Sequence, residues 1–240
     1  MKQSLSDFQS IEYKQSAEFK KIVESYKNGP KFSAEKPFEH EFLQGICFGL
    51  CCEWIASHRR YRTDGQVKRM EAMQRRIDDI QADKQQFYKA LNTQINSYGI
   101  DTFEKGGKET KPDMLKRMNM GGERHGVKFV NKWHTTHCKP PGYEILTLRG
   151  QVCRTHAYTL TALSFKEANA QKTSGHAICA YQSGGKIFGF GSHLYAFDPN
   201  VGEFRISNDD VPAFYIALFK MYASKGLEVI AHKTYAVTNH

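Results

Sequence analysis

The stretch from Gln44 to Arg60 constrains the fold more than any other part of the chain. Cys47, Leu50, Cys51, Trp54, Ile55 and His58 recur at i, i+3, i+4, i+7, i+8 and i+11, the stripe of one helix face. Phe48 and Cys52 widen that stripe until little of the first two turns is polar. A helix apolar nearly all round has to be buried, so the rest of the chain must build a core around it. With 240 residues, 40% of them hydrophobic, the chain is long enough for one sizeable core.

The other elements fall on either side of that helix. Residues 1–40 mix Ser, Gln, Lys and Glu with isolated aromatics, and read as an N-terminal extension or arm with one helix around Ser16–Tyr26. A long amphipathic helix, or two, is expected over Gln66–Tyr98, and a short helix over Pro112–Met120 stopped by Gly121-Gly122. After Pro140-Pro141-Gly142 the pattern changes. Tyr143–Leu148 is strand-like, and Ala157–Ala170 fits strand or helix equally. Ala177–Tyr181, Lys186–Phe190, Leu194–Phe197 and Glu203–Ile206 are short runs parted by turn residues, the mark of an antiparallel meander. Asp209–Ser224 reads as helix and Leu227–Val237 as a last strand. Helices first and sheet afterwards argue an α+β domain spanning residues 41–240.

Composition narrows the function classes. No apolar stretch approaches the roughly 18–20 residues that span a bilayer, and Met1–Ser16 lacks an apolar signal core. The six cysteines, several inside apolar runs, read as reduced thiols of a reducing environment. Part of the net charge of +9 is concentrated between Arg59 and Arg76. Such a stretch is either a solvated helix face or a site for an anionic membrane surface or other acidic partner. No recognisable nucleic-acid motif accompanies it, and nucleic acid is not expected as a partner.

A thiol nucleophile must be held as thiolate, with a histidine in reach and a third group to orient that histidine. Cys47 meets the first need by position, in the first turn of the buried helix, where backbone N–H groups and the helix dipole favour a negative sulfur. The same N–H groups suit an oxyanion, and Gln44, three residues earlier, offers a side-chain amide donor. His176 stands at the mouth of a strand among small neighbours, Gly175 and Ala177. Asp198 stands at a strand end before a turn, in Phe197-Asp198-Pro199-Asn200. If the intervening strands pair beside the His176 strand, Asp198 comes near His176. His193, in a turn, ranks below His176 as the histidine. His134, His137, Cys138, Cys153 and His156 are zinc-type residues, but without the spacing of tetrahedral sites, and neither metal nor cofactor is expected.

Gly45-Ile46-Cys47-Phe48-Gly49-Leu50 with Trp54-Ile55, Gly175-His176-Ala177, and Phe197-Asp198-Pro199-Asn200-Val201-Gly202-Glu203-Phe204 resemble the YopT-type cysteine proteases, papain-fold bacterial effectors and toxin domains. The resemblance covers roughly residues 42–206 and is specific at those three blocks. It implies a papain-like catalytic domain with Cys47 as nucleophile, His176 as general base and acid, and Asp198 as orienting residue. It further implies a virulence effector delivered into a host cell and cleaving a host protein in the host cytosol; with no apolar signal core in Met1–Ser16, a signal-peptide-independent route of secretion is expected. Residues 1–40 are then open to three readings: a secretion signal, a chaperone-binding arm or part of the fold. Two other readings stay open: a deamidase or acyltransferase on the same triad, since all pass through a thioester, and a non-enzymatic basic binding module.

Overall fold

The computed structural model describes residues 4–14, 46–61, 71, 93, 114–154, 157–168, 173–184 and 191–239. The helices expected over Ser16–Tyr26 and Gln66–Tyr98 and the strand expected over Lys186–Phe190 lie outside these residues, apart from Glu71 and Thr93. Eight strands appear among the described residues: β1 (Gln9–Glu12), β2 (Val127–Val130), β3 (Thr136–His137), β4 (Tyr158–Glu167), β5 (Thr173–Gln182), β6 (His193–Asp198), β7 (Gly202–Ser207) and β8 (Leu227–Asn239). They form one sheet in the order β1-β7-β6-β5-β4-β8-β2, with β3 also on β8, and every pairing is antiparallel.

Four helices flank the sheet: α1 (Cys47–Arg60), α2 (Met114–Glu123), α3 (Ile145–Val152) and α4 (Val211–Ser224). Alternation along β5 decides which core each residue joins. Ala177, Cys179 and Tyr181 face the cluster of Leu50, Cys51, Trp54 and Ile55 from α1. Ile178 and Ala180 face the cluster of Leu148 from α3 and Phe214, Leu218 and Tyr222 from α4. The sheet is therefore covered on both faces, and α1 is as buried as its composition requires, with eleven of its residues out of water.

Two local expectations are corrected. Tyr143–Leu148 is not a strand: Tyr143 and Glu144 both turn through positive φ, at 51° and 53°, and α3 begins at Ile145. Ile145, Leu148 and Val152 then bury one helical face, a spacing that a short apolar run does not distinguish from a strand. Gly121-Gly122 does not stop α2, which runs to Glu123. Here glycine serves close packing. A Cβ on Gly122 would stand 2.5 Å from the Val127 carbonyl oxygen and 2.8 Å from a Phe129 ring carbon. The undecided segment Ala157–Ala170 contains a strand, β4.

Within residues 1–40, read from sequence as an extension, Gln9–Glu12 is an edge strand on β7. Its fit turns on Gly202, whose φ of +141° suits glycine alone, and whose missing Cβ leaves room for the Ile11 carbonyl. Gly202→Ala should therefore cost about 2 kcal/mol or more, from backbone strain and the displaced edge strand. A urea midpoint equal to that of the unaltered protein would contradict this account of the edge.

Candidate active site

Helix α1 is tied to the sheet by directional contacts. One turn beyond Cys47, the Cys51 thiol donates to the Ala177 carbonyl at 3.3 Å, fixing α1 against β5 beside His176. The Cys179 thiol returns a contact to the Cys51 carbonyl at 3.7 Å. The Trp54 indole N–H donates to the buried Glu203 carboxylate on β7 at 2.8 Å. Its ring stacks on Phe197, next to Asp198, with 5.9 Å between centroids and 3° between planes. At the far end, Arg59 donates to the Gly126 and Thr238 carbonyls and lies over Tyr158. Arg59, the first cation of the basic stretch, is thus used in tying the end of α1 to β2 and β8. Beyond Arg60 and Tyr61 that stretch lies outside the described residues, apart from Glu71.

These ties set the first residue of α1 beside the open end of β5. β6 begins to pair with β5 only at Cys179, so His176 projects past the last β5–β6 pair. Asp198, at the end of β6, meets it: His176 Nε2 lies 2.9 Å from Asp198 Oδ1, with both side chains buried. The other ring nitrogen, Nδ1, is left free of Asp198, and Cys47 is close enough to act on the charge of the ring. Of the sequence-selected residues, the fold brings together Cys47, His176 and Asp198. His193 stands at the opposite end of β6, its Nδ1 2.8 Å from the Gly191 carbonyl. Gln44 and His156 lie outside the described residues. Among the described residues, no three His, Cys, Asp or Glu side chains, including those of His134, His137, Cys138 and Cys153, converge as a metal site would require.

The electrostatics of the three groups are coupled. Burial pushes the His176 imidazolium toward losing its proton. The Asp198 charge and hydrogen bond, then the Cys47 sulfur, outweigh that and raise it to about 10. The arrangement favours the protonated imidazolium. Burial, the leading cause each time, pushes Cys51 and Cys52 far up, Cys138 to about 11, and Cys153 and Cys179 upward.

Sequence reading missed Tyr222. Its hydroxyl donates to Asp198 Oδ2 at 2.8 Å, and its ring centroid is 5.6 Å from that of His176. The signal was available: Tyr215, Leu218, Phe219 and Tyr222 share a helical stripe, and a buried tyrosine needs a partner for its hydroxyl.

The sequence model of the Peptidase_C58 family, described as Yersinia/Haemophilus virulence surface antigen, matches residues 12–236. Among solved structures, the chain is similar to the Pseudomonas avirulence protein AvrPphB, with a TM-score of 0.61 and 20% identity over 98% of this chain and 100% of that one. The cysteine protease-like domain PatoxP of the Photorhabdus asymbiotica toxin PaTox aligns at a TM-score of 0.25 and 12% identity, over 96% and 90%. No curated protein matches the chain in sequence. The AvrPphB likeness is one of fold, and it agrees with the papain-like α+β expectation.

The imidazolium gives a pH prediction with a definite sign. Folding raises His176 from about 6.5 to about 10, so its bound proton stabilises the fold fully below pH ~6.5. That contribution is lost as pH rises through the window up to about 10. The urea-midpoint gap between the protein and His176→Gln should therefore narrow steadily across that window. A gap that stays constant would count against the pairing.

Proposed function

The chain belongs to the Peptidase_C58 family and is a cysteine protease, and from that premise we propose that Cys47 is its nucleophile, His176 its general base and acid, and Asp198 the orienting group. The observation that carries the reading is the 2.9 Å bond from His176 Nε2 to Asp198, which leaves Nδ1 to Cys47 at a helix N-terminus. The order of the three along the chain and their burial in one place support it too.

The chemistry follows from those positions. The Cys47 thiolate attacks the scissile carbonyl, and the carbonyl electrons move to oxygen. That oxyanion lies by the N-terminal backbone N–H groups of α1, with the Gln44 amide assigned as the side-chain donor. As the C–N bond breaks, His176 gives its proton to the leaving amine, and a thioester remains on Cys47. Water then enters. His176 takes one of its protons, the hydroxide oxygen bonds to the acyl carbon, and Cys47 leaves as thiolate beside the restored imidazolium. Asp198 remains a carboxylate throughout and keeps the ring in register.

The substrate is a protein. In this reading it is a host protein, met in the host cytosol after delivery of the chain as a virulence effector. Outside the edge strand β1, residues 1–40 serve secretion or chaperone binding, and the basic stretch beyond Arg59, ending at Arg76, faces an anionic membrane surface. The family's virulence description supports this setting.

Two measurements test the assignment. Iodoacetamide at pH 6 should alkylate Cys47 ahead of the other five cysteines, whose thiols burial keeps protonated, and His176→Ala should erase that preference. Equal rates at all six positions would sink the triad. Host lysate treated with the protein should yield a new proteolytic fragment that Cys47→Ala does not produce, with His176→Ala slower by about 10²–10⁴-fold. A one-dalton shift or a mass adduct in place of a fragment would assign deamidation or acyl transfer.

A further inference from the structure

The Asp198 carboxylate is held by more than His176. Oδ1 accepts from the Asn200 backbone N–H at 2.8 Å in addition to its bond with the imidazole. Oδ2 accepts from the Tyr222 hydroxyl at 2.8 Å. The Asn200 side-chain amide in turn donates to the Tyr222 oxygen at 3.2 Å. An amide NH₂ only donates, and a phenol has one proton. With its oxygen receiving from Asn200, Tyr222 has its own proton to give to Asp198. The bonds close a ring: Asn200 N–H to Oδ1, Asn200 amide to Tyr222, and Tyr222 to Oδ2. Such a ring fixes the plane of the carboxylate from both of its oxygens.

The ring joins two parts of the chain. Asp198 and Asn200 belong to the turn leaving β6, whereas Tyr222 sits in the last turn of α4. The phenol packs against both the His176 ring and the Phe165 ring, at 5.6 Å and 4.9 Å between centroids, and those two rings also face each other. It is almost fully out of water.

We infer that Tyr222 is a positioning residue for the reaction: its hydroxyl fixes the Asp198 carboxylate so that Oδ1 faces His176 Nε2, and the ring then presents Nδ1 to Cys47. The inference rests on the triad reading above. Burial first, and then the Asp198 charge, push the Tyr222 hydroxyl well above the usual phenol range, so it stays a neutral donor wherever the triad operates. Without that donor, Oδ2 would be a buried carboxylate oxygen short of a partner, and Asp198 could turn about its Asn200 contact. Misaligned, it would hold the imidazolium less well, and the Cys47 thiolate would lose its counter-ion.

Tyr222→Phe keeps the ring against His176 and Phe165 and removes only the hydroxyl. The readout is the rate of Cys47 alkylation by iodoacetamide, followed by mass spectrometry across the neutral pH range, in the full chain. The expected result is a profile moved to higher pH, with the rate at pH 6 lowered about three- to tenfold, the worth of one hydrogen bond. A tyrosine that merely packs would change the melting temperature and leave this profile in place. His176→Ala is measured alongside. If it alkylates as fast as the unaltered protein, the triad reading itself fails. If it is slowed while Tyr222→Phe keeps the original profile, or moves it to lower pH, the positioning role is overturned and the triad stands. Should Tyr222→Phe not fold, Asn200→Ala frees the same phenol from its other side. It is expected to move the profile in the same direction, and an unmoved profile there overturns the inference equally.

Discussion

The docking of α1 on the middle of the sheet is the constraint from which the site follows. A helix with Phe48, Leu50, Cys51, Cys52, Trp54 and Ile55 out of water gains roughly 1.5–3 kcal/mol for each large apolar side chain it buries. Apolar burial is non-directional, and alone it would let the helix slide along its groove. The Cys51–Ala177 bond and the Trp54–Glu203 bond remove that freedom, one toward β5 and one toward β7. The flat stack of Trp54 on Phe197 does the same toward β6. Since Phe197 precedes Asp198 and Ala177 follows His176, the contacts that register the helix also register the two partners of Cys47.

The polar part of the site depends on being closed as well as buried. A carboxylate and an imidazolium out of water recover their desolvation only when their remaining donors and acceptors are also met. Asp198 satisfies that condition, with three donors on its two oxygens: the His176 ring, the Asn200 backbone and the Tyr222 hydroxyl. Removing one member of such a pair typically costs about 3–5 kcal/mol, because the other charge is left alone in the core. Stability and chemistry are therefore joined at Asp198.

Much of this was legible in the sequence, and the rest was hidden for identifiable reasons. α1 could be read from its stripe because its first two turns carry almost no polar residue to compete with helical burial. The sheet from Ala177 onward was legible from its turn residues, and so was the ordered trio Cys47, His176 and Asp198. Tyr143–Leu148 was misread because six residues cannot separate periods of 2 and 3.6 when the positive-φ residues, Tyr143 and Glu144, are not glycine. Gly121-Gly122 was misread because the same residue type ends helices and permits close packing, and only Val127 and Phe129 across the gap decide between them. Tyr222 was overlooked because its partner lies 24 residues away in sequence, and helix periodicity reports which face is buried without reporting what that face meets.

The strand alternation of β5 has one more consequence. Ala177 and Cys179 belong to the α1 face of the sheet, whereas Ile178 and Ala180 belong to the α4 face. His176, one residue before Ala177, falls by alternation on the α4 face, and its ring contacts with Phe165 and Tyr222 agree. Cys47 comes from the opposite layer. The two approach each other where β5 extends beyond the end of its β6 partner, the last β5–β6 pair being Cys179 with Phe197. The site thus exists only when both layers have packed on the same sheet, and a shift of either layer would separate sulfur from imidazole. In the proposed triad neither helix carries the chemistry alone: α1 brings Cys47, α4 brings the Tyr222 hydroxyl to Asp198, and the end of β5 beyond its β6 pairs is where they combine.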